Sequence, residues 1–486
     1  MSEMRSIALL APVLFLACSS SESTPAAAGG AGGGAGSGGV GGAGGGVATQ
    51  CAYPTDLTAD RATGRVDSTQ TFGAAPTPRR VRVGVGGAVG SSDAAYADPA
   101  HTAAVVWDTD VDTQATDLRI GTSEAALDAT VSGFSYLLAG SVPTRVHQVH
   151  LCGLTASTTY YYQVGGGTAW SDVRALTTLP AAGAADSVTI GVSGDARDSL
   201  DVVWPAVQGR LRAATPSFQV FTGDVSPIAL ANSEDDYGKW LDGLWAAGTA
   251  SGVQSSQPLF AIGGNHEHLQ AQWLANFAFP GTGAYQGYFY SFDAGPAHVV
   301  VLDDFAVSAS VPDTGAQPAI LEFLDKDLAA ADARRATVPF VVVFHHKGEL
   351  STSNHASDSD VARMRPLLMP VWDAHHVDLV LNGHDHNYER STPATWSGSA
   401  PAVAGAGQGT TYIVCAGAGA SAYAPGDGSE AYSAKRARFG ASTSYVGLYG
   451  LLTVGKTTMS WKAYGLKSGG TRPEDDDVID TQDWTR

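Results

Sequence analysis

The spacing of apolar residues changes along the chain at about Pro180. Over residues 75–180, short segments separated by turn residues predict β-strands, as in Arg80 to Val85, Ala103 to Trp107 and Tyr160 to Val164. After Pro180, apolar strands alternate with helical segments, which is typical of a layered α/β domain. The sequence therefore predicts an all-β sandwich followed by an α/β domain.

The α/β domain is expected over residues 186–466. A helix from Ser199 to Ala214 has apolar residues at helical spacing. Polar residues follow nearly every strand at its carboxyl end, where ligands bind in open α/β sheets. Residues 467–486 are expected to form a tail, with Pro473 to Asp477 as a solvated turn. The predicted strands are Ser187 to Val192, Phe218 to Phe221, Leu259 to Ile262, His298 to Leu302, Phe340 to Phe344 and Val377 to Leu381.

The first eighteen residues are typical of an export signal. Arg5 precedes an apolar run from Ile7 to Ala17 that is too short to span a bilayer as a helix. Leu14 to Cys18 resembles a bacterial lipoprotein cleavage site; the alternative is an ordinary cleaved signal peptide. Residues 19–50 form a Gly/Ala-rich linker that would act as a tether. We expect an exported protein: an outer-membrane lipoprotein, or a periplasmic or extracellular protein.

Three cysteines remain after Cys18. In an oxidising compartment one disulfide is possible, and we predict that it joins Cys51 to Cys152. Cys415 lies in an apolar, strand-like run from Thr411 to Cys415 and is expected to be a core residue.

Composition limits the partners. The chain has 486 residues, 44% of them hydrophobic, which is enough for real cores. Its 47 acidic and 28 basic residues give a formal charge of −19, which repels nucleic acid and anionic lipid. The sequence shows no local cluster of basic residues that would offset this negative charge. We expect a small phosphorylated substrate, no nucleic-acid-binding patch, and membrane attachment only through a lipid anchor at Cys18.

Five strand ends carry side chains that can bind metal. They offer carboxylate oxygens, an amide oxygen and imidazole nitrogens, a mixture that suits iron, manganese or zinc. Each motif alone is also compatible with a turn, a loop cap or a structural histidine. The segments are Gly194 to Arg197, Gly223-Asp224, Gly264 to Glu267, His345-His346 and Gly383 to His386.

This ordered set resembles the calcineurin-like metallophosphoesterase family, and more closely its purple acid phosphatase branch. The stretches Tyr288 to Asp293, His298 to Asp303 and Gly383 to Arg390 agree with that branch. The resemblance implies a four-layer α/β/β/α metallophosphoesterase sandwich. His150 to Leu154 and Thr158 to Tyr162 resemble late strands of a fibronectin type III-like domain, so the preceding all-β sandwich is expected to be immunoglobulin- or fibronectin III-like.

The resemblance also implies roles for single residues. Asp195, Asp224 and His386 would bind one metal ion, and Asn265, His345 and His384 the other, with Asp224 bridging. His266 matches the family's phosphate-contacting His. His355 matches a substrate-side His that protonates the leaving group in plant-type members; the alternative is an exposed loop histidine.

Three positions depart from the family. Pro227 stands where purple enzymes have a Tyr ligand, which predicts a protein without purple colour. Arg197 stands where other members have a His, so the first metal has three protein ligands plus water, or gains Asp198 or Tyr237. Lys347 replaces the usual Pro, and either adds positive potential at the substrate mouth or faces solvent.

Arg197 could clamp a substrate phosphate, since a guanidinium matches two phosphoryl oxygens. The alternative is a salt bridge to Asp198 or Glu267. The function expected from the resemblance is acid phosphatase-like hydrolysis of phosphate monoesters by metal-bound hydroxide attack on phosphorus. Two alternatives remain: a phosphodiesterase of the same fold, or a catalytically weak cell-surface binding protein.

Overall fold

The computed structural model describes residues 48–51, 64–87, 96–138, 143–225, 234–245, 256–267, 271–280, 287–308 and 316–486. The predicted signal segment, Cys18 and the Gly/Ala-rich linker up to residue 47 lie outside these ranges, as does Pro227. Among the helices within them, none combines the length and the apolar character needed to cross a membrane.

The N-terminal domain is built from antiparallel β-strands. They are β1 Thr49–Gln50, β2 Val66–Asp67, β3 Arg79–Gly84, β4 Ala103–Thr109, β5 Asp117–Gly121, β6 Ala129–Ser132, β7 Phe134–Leu138, β8 Thr144–Cys152, β9 Thr159–Gly166, β10 Ala169–Trp170 and β11 Arg174–Thr177. One sheet has the order β2-β7-β8-β4-β3, with β1 on β8, and the other has the order β10-β9-β5-β6, with β11 on β9.

Both faces of strand β4 are buried. Val105 and Trp107 point into the core between the two sheets. The intervening residues Ala104 and Val106 belong to a second buried cluster, which includes residues of the α/β domain around Ala275. This two-residue alternation is what a pleated strand dictates. The predicted β sandwich is confirmed, and one of its sheets packs directly on the α/β domain.

A disulfide joins Cys51 to Cys152, whose Cα atoms are 5.0 Å apart. It fastens the segment of β1 to the end of β8, where the Cys51 backbone N–H donates to the His150 carbonyl at 3.0 Å. Cys415 is a buried free thiol. The predicted pairing and the predicted core position of Cys415 are both confirmed.

The α/β domain contains mixed sheets with helices between the strands. In chain order its elements are β12 Ser187–Ser193, α1 Val203–Ala214, β13 Phe218–Phe221, α2 Glu234–Trp245, β14 Leu259–Ala261, α3 Ala271–Asn276, β15 Phe289–Ala294, β16 Ala297–Leu302, α4 Phe305–Ser308, α5 Ala316–Asp332, β17 Phe340–Phe344, α6 Ser359–Ala374, β18 Leu379–Asn382, β19 Tyr388–Ser391, β20 Ala394–Trp396, β21 Pro401–Val403, β22 Thr411–Cys415, β23 Ser433–Ala437, β24 Gly447–Gly455, β25 Thr458–Leu466, a 3₁₀ helix Pro473–Asp475 and β26 Asp477–Thr485.

Two large sheets face each other in this domain. Sheet I has the order β14-β13-β12-β24-β25-β26, and sheet II has the order β15-β16-β17-β18-β22-β19-β23. Strands β12 to β14 are parallel neighbours in sheet I, and β16, β17, β18 and β22 are parallel neighbours in sheet II. The carboxyl ends of the parallel strands therefore lie at one edge of each sheet.

Strand β16 separates two buried layers. Val299 and Val301 belong to the cluster between the two sheets, whereas Val300 and Leu302 pack with the apolar faces of α5 and α6. On the other side of sheet I, Trp204 of α1 stacks on Trp240 of α2 with ring centroids 5.0 Å apart. The predicted order of helix, sheet, sheet and helix is confirmed.

Helix α1 begins later than its apolar spacing predicts. It starts at Val203 rather than Ser199. Pro205 explains the difference, because the proline ring is tolerated in the first turn of a helix but would break its interior. The six predicted strands all form, with ends that differ from the prediction by at most two residues.

The expectation of a C-terminal tail over residues 467–486 is wrong. Residues Asp477–Thr485 form edge strand β26, which pairs antiparallel with β25. The expected solvated turn is a short 3₁₀ helix followed by buried Asp476, whose carboxylate pairs with Arg210 at 2.9 Å. The acidic composition of this segment hides the strand, because an edge strand buries only part of its surface and tolerates charges.

Candidate metal centre

Three strand ends place residues with a left-handed backbone next to one another. Asp195 follows β12, Asp224 follows β13 and His384 follows β18, and their φ angles are 59°, 63° and 70°. Such a conformation costs about 1–3 kcal/mol for a residue with a side chain. Its recurrence at three strand ends indicates that the fold holds these side chains in position for a function.

The first donor group consists of Asp195, Asp224 and His386, whose ligand atoms all lie within 4.8 Å of one another. His386 Nδ1 donates to the Ser421 carbonyl at 2.7 Å, so the neutral ring carries its lone pair on Nε2. That atom lies 3.6 Å from Asp195 Oδ1. Asp195 Oδ2 is buried without a hydrogen-bond partner. The Nε2 lone pair of His386 and the Oδ2 atom of Asp195 are donor atoms that suit a cation.

The second donor group consists of Asp224, Asn265, His346 and His384. The first, third and fourth of these also lie within 4.8 Å of one another. His346 Nδ1 donates to the Thr222 carbonyl at 2.7 Å, which leaves the Nε2 lone pair facing Asn265 Oδ1 at 3.0 Å and Asp224 Oδ1 at 3.3 Å. Asp224 belongs to both groups, as a bridging carboxylate must.

The prediction of His345 as a ligand is corrected by this geometry. His345 Nδ1 pairs with Asp304 at 2.9 Å and Nε2 with Glu349 at 3.1 Å, and the side chain is fully buried. Burial alone lowers its pKa, but the Glu349 and Asp304 carboxylates outweigh that effect and raise the pKa to about 10. An imidazolium has no lone pair to offer, so His346 takes the place predicted for His345.

Two glycines allow the strand ends to approach the donors closely. A Cβ atom on Gly264 would lie 2.3 Å from Asp224 Oδ1, and a Cβ atom on Gly383 would lie 2.5 Å from Asp195 Oδ2. Any side chain at either position would displace a carboxylate of the first donor group. This contact explains why both metal-binding segments begin with glycine.

Glu267 ties two of these strand ends together. Its Oε2 accepts hydrogen bonds from the backbone N–H groups of Asp224 at 2.8 Å and Gly264 at 2.9 Å, and Oε1 accepts one from Val225 at 2.7 Å. The carboxylate is fully buried. Sequence reasoning gave Glu267 no part in the centre except as a partner for Arg197, and its positioning role emerges only from these contacts.

The protonation of the donors also favours a cation. Burial, together with the neighbouring Asp224 charge, raises the pKa of Asp195 well above its usual range. Burial and the Arg197 charge lower the pKa of His386 to about 4, and burial and His346 lower the pKa of His384 well below its usual value. His386 and His384 are therefore neutral ligands, and a cation between Asp195 and Asp224 would offset the repulsion that otherwise favours the protonated form of Asp195.

Arg197 lies against the first donor group. Its Nη1 donates to His266 Nε2 at 2.9 Å, and its Nη2 donates to Tyr423 Oη at 3.2 Å and to His386 Nε2 at 3.3 Å. Its Nε lies 3.8 Å from Asp224 Oδ2. The ion pair is thus with Asp224 and not with Asp198, whose carboxylate accepts a hydrogen bond from the Ser421 backbone.

Tyr423 and His355 form the rim of the centre. The Tyr423 ring stacks on His386, with centroids 4.1 Å apart, and sequence reasoning missed it. The His355 ring lies 4.1 Å from that of His384 and 5.7 Å from that of Tyr423. Its Nδ1 pairs with Asp358 at 2.8 Å. His355 is therefore part of the site and not merely a loop histidine.

Lys347 and Tyr237 are the remaining residues that depart from the family pattern or would substitute for its missing ligands. Lys347 is buried, donates to Asp360 at 2.7 Å and to Ser308 at 2.9 Å, and lies over the Phe305 ring. The expectation that it faces solvent is therefore wrong, whereas its charge is among those that lower the pKa of His384. The side chain of Tyr237, one of the two residues suggested to complete the first metal, lies outside the described residues.

Sequence profiles of two known domains match this arrangement. Residues 91–178 match the purple acid phosphatase N-terminal domain, and residues 188–388 match the calcineurin-like phosphoesterase domain. The second match ends at Tyr388 and so includes both donor groups. Residues 188–388 thus form a calcineurin-like phosphoesterase domain, which follows a purple acid phosphatase N-terminal domain.

Relatives of the chain include purple acid phosphatases. An uncharacterized protein of Mycobacterium tuberculosis is 26% identical over 56% of the chain and 58% of its own length. Purple acid phosphatase 15 of Arabidopsis thaliana is 28% identical over 51% of the chain and 49% of its own length. The chain thus matches only about half of the length of these relatives.

A solved structure shares the fold of the chain. Purple acid phosphatase PPD1 from yellow lupin (Lupinus luteus) seeds superimposes with a TM-score of 0.65 at 18% identity, over 85% of the chain and 75% of its own. The chain therefore has a purple acid phosphatase-like fold, with an N-terminal β domain and a metallophosphoesterase domain that carries candidate metal-binding clusters.

Proposed function

We propose that this protein hydrolyses phosphate monoesters at a centre of two metal ions. The observation that carries the proposal is the pair of donor groups that share Asp224. Two groups of ligand atoms that share one carboxylate suit two cations about 3.5–4 Å apart. Iron, manganese and zinc all fit a mixture of carboxylate, amide and imidazole donors.

The two donor groups would divide the metals between them. Asp195, Asp224 and His386 would hold the first ion, and Asp224, Asn265, His346 and His384 the second. Such ions lower the pKa of water and neutralise charge on a phosphoryl group when bound. Glu267 keeps the ends of β13 and β14 in register for both ions.

Other residues of the chain would handle the substrate. Arg197 and His266, which contact each other at 2.9 Å, would donate hydrogen bonds to the phosphoryl oxygens. His355 would give a proton to the leaving oxygen, with its ring oriented by Asp358. Tyr423 contacts both Arg197 and His355 beside the donor groups, and side chains placed there favour a monoester over a diester with two bulky groups.

Turnover of two chromogenic esters tests this function. We expect the purified protein to hydrolyse p-nitrophenyl phosphate faster than bis(p-nitrophenyl) phosphate, and to lose that activity with a chelator and regain it with added Mn²⁺ or Zn²⁺. Faster cleavage of the bis ester would make the protein a phosphodiesterase. Failure to cleave either ester, with metal bound, would favour a catalytically weak binding protein instead.

Asp224→Asn provides the matched variant. Because an amide cannot bridge two cations with two anionic oxygens, we expect activity to fall more than about a hundredfold and metal content to drop. Asp483→Asn makes the same change on an exposed residue of β26 and should leave both unchanged. Full activity in Asp224→Asn would rule out the two-metal centre.

We also propose that the protein is exported and carries a lipid on Cys18. The apolar run before Cys18 supports this location. The Cys51–Cys152 disulfide agrees with an oxidising compartment. Labelling of the expressed protein with a radioactive fatty acid, compared between the native chain and Cys18→Ala, tests the anchor.

A further inference from the structure

The guanidinium of Arg197 occupies the approach to the first donor group. It contacts His386, His266 and Tyr423 within 3.3 Å and lies 3.8 Å from the Asp224 carboxylate. Each of these contacts offers an acceptor or a negative charge to a cation. An arginine side chain therefore satisfies part of the same electrostatic demand that a metal ion would satisfy.

One lone pair decides between the two cations. His386 Nδ1 donates to the Ser421 carbonyl at 2.7 Å, which fixes the tautomer and leaves a single lone pair on Nε2. That lone pair accepts from Arg197 Nη2 at 3.3 Å. It cannot accept this hydrogen bond and bind a metal ion at the same time. Binding of the first metal thus requires the guanidinium to leave His386.

We propose that Arg197 is an internal cation that competes with the first metal ion for His386 and Asp224. Binding of a divalent cation to the first donor group displaces the guanidinium, which then faces the metal pair and can bind a substrate phosphate. This inference rests on the proposed metal centre and deepens it. It makes Arg197 both a competitor of the first metal and, once displaced, a phosphate ligand.

Tyr423 positions the competing guanidinium. Its hydroxyl accepts from Arg197 Nη2 at 3.2 Å, while its ring stacks on His386 and its backbone N–H donates to the His386 carbonyl at 2.8 Å. Tyr423 is therefore fixed to the histidine for which the two cations compete. Removing only its hydroxyl should weaken the hold on Arg197 without disturbing His386.

The two donor groups should consequently bind metal unequally. The second donor group is joined to Asp224 through Oδ1, whereas Arg197 approaches the Oδ2 side of that carboxylate. During a titration, the second donor group (Asp224, Asn265, His346 and His384) should fill before the first donor group. The ion that binds beside Asp195 and His386 should therefore bind more weakly. One guanidinium hydrogen bond to the ligand atom of His386, together with the ion pair to Asp224, is enough to change affinity by roughly tenfold or more.

A Mn²⁺ titration of the full chain tests this competition, with calorimetry for affinity and electron paramagnetic resonance to distinguish isolated ions from coupled pairs. Four proteins are compared: the native chain, Arg197→Gln, Tyr423→Phe and the control Arg119→Gln, an exposed arginine over Trp170 in the N-terminal domain. Circular dichroism checks that each variant is folded. If Arg197→Gln does not fold, Tyr423→Phe still tests the competition, because it removes only a hydroxyl and keeps the ring that stacks on His386.

We expect two unequal binding steps in the native chain and in Arg119→Gln. The weaker step should tighten roughly tenfold or more in Arg197→Gln and by a smaller factor in Tyr423→Phe, with the coupled-pair signal appearing at lower Mn²⁺. An equal or weaker second step in both site variants would overturn the competition while leaving the metal centre intact. Absence of Mn²⁺ binding in all four proteins would remove the centre itself, and the competition with it.

Discussion

Two adjacent histidines after β17 have opposite chemistry. His345 lies between the carboxylates of Asp304 and Glu349 and is held as a cation, with its pKa raised to about 10. His346 donates one ring proton to a backbone carbonyl and turns its other nitrogen toward Asp224 and Asn265. The first histidine neutralises buried carboxylates, and the second is suited to a metal ion.

Separate substitutions of these histidines should give separate losses. His346→Gln should lower metal content with a modest effect on folding, because it removes a ligand nitrogen. His345→Gln should cost about 3–5 kcal/mol of unfolding free energy, because it leaves two buried carboxylates without their cation. Denaturant unfolding with chelator present, together with metal analysis, measures both. Loss of metal from His345→Gln alone, without destabilisation, would contradict the assignment.

The choice between them could have been made from β17 itself. Phe340, Val342 and Phe344 pack between the sheets, whereas Val341 and Val343 face the helices. Continuing that alternation places position 346 on the side of sheet I, with the other donors, and position 345 on the side of α5 and α6. Strand periodicity was therefore a sufficient signal, and the family resemblance led to the wrong member of the pair.

At the scale of elements, His298 links strands β15 and β16 to helix α5. It lies opposite Asp293 in the strand pair and contacts Asp293 at 2.8 Å and Asp327 at 2.9 Å. Arg334 and the Tyr96 hydroxyl also approach Asp293, at 3.3 Å each. Burial alone lowers the pKa of His298, but its hydrogen bonds to Asp293 and Asp327 outweigh burial and raise the pKa to about 9.

This shift predicts a pH-dependent stability. An unfolded histidine has a pKa near 6.5, so the stabilisation by His298 is complete below about pH 6.5 and is lost as pH rises through 9. Between pH 6 and pH 9.5, the free energy of unfolding of His298→Gln should therefore fall by about 3 kcal/mol less than that of the native protein. The exposed His101, paired with Asp98, provides the control His101→Gln. Unfolding free energies at pH 6 and pH 9.5, with chelator present, measure the effect; identical declines in native and His298→Gln proteins would contradict it.

Other elements differed in how well their sequence predicted them. The strands that carry the donors are buried on both faces, so their apolar runs are long enough to recognise, and their ends were predicted within two residues. Edge strand β26 was missed because it is acidic and half exposed. Tyr423 follows no recognisable motif, and only the fold brings it onto His386. Contacts between distant segments leave no local pattern to read.

At the scale of the whole molecule, the disulfide closes a segment of 101 residues in the N-terminal domain. Changing both Cys51 and Cys152 to Ser should lower the free energy of unfolding by about 2–5 kcal/mol, because the unfolded chain gains freedom. Denaturant unfolding measures this, and a reductant should destabilise the native protein but not the double variant. Equal stability of the native protein with and without reductant would contradict a stabilising disulfide.

The central claim is that the ends of strands from two facing sheets hold a pair of metal ions bridged by Asp224. Anomalous X-ray diffraction from crystals grown with excess Mn²⁺ tests it most directly. We predict two anomalous peaks about 3.5–4 Å apart, one beside Asp195 and His386 and the other beside His346, Asn265 and His384, with Asp224 between them. A single peak remote from Asp224, or a peak coordinated by His345, would contradict the account.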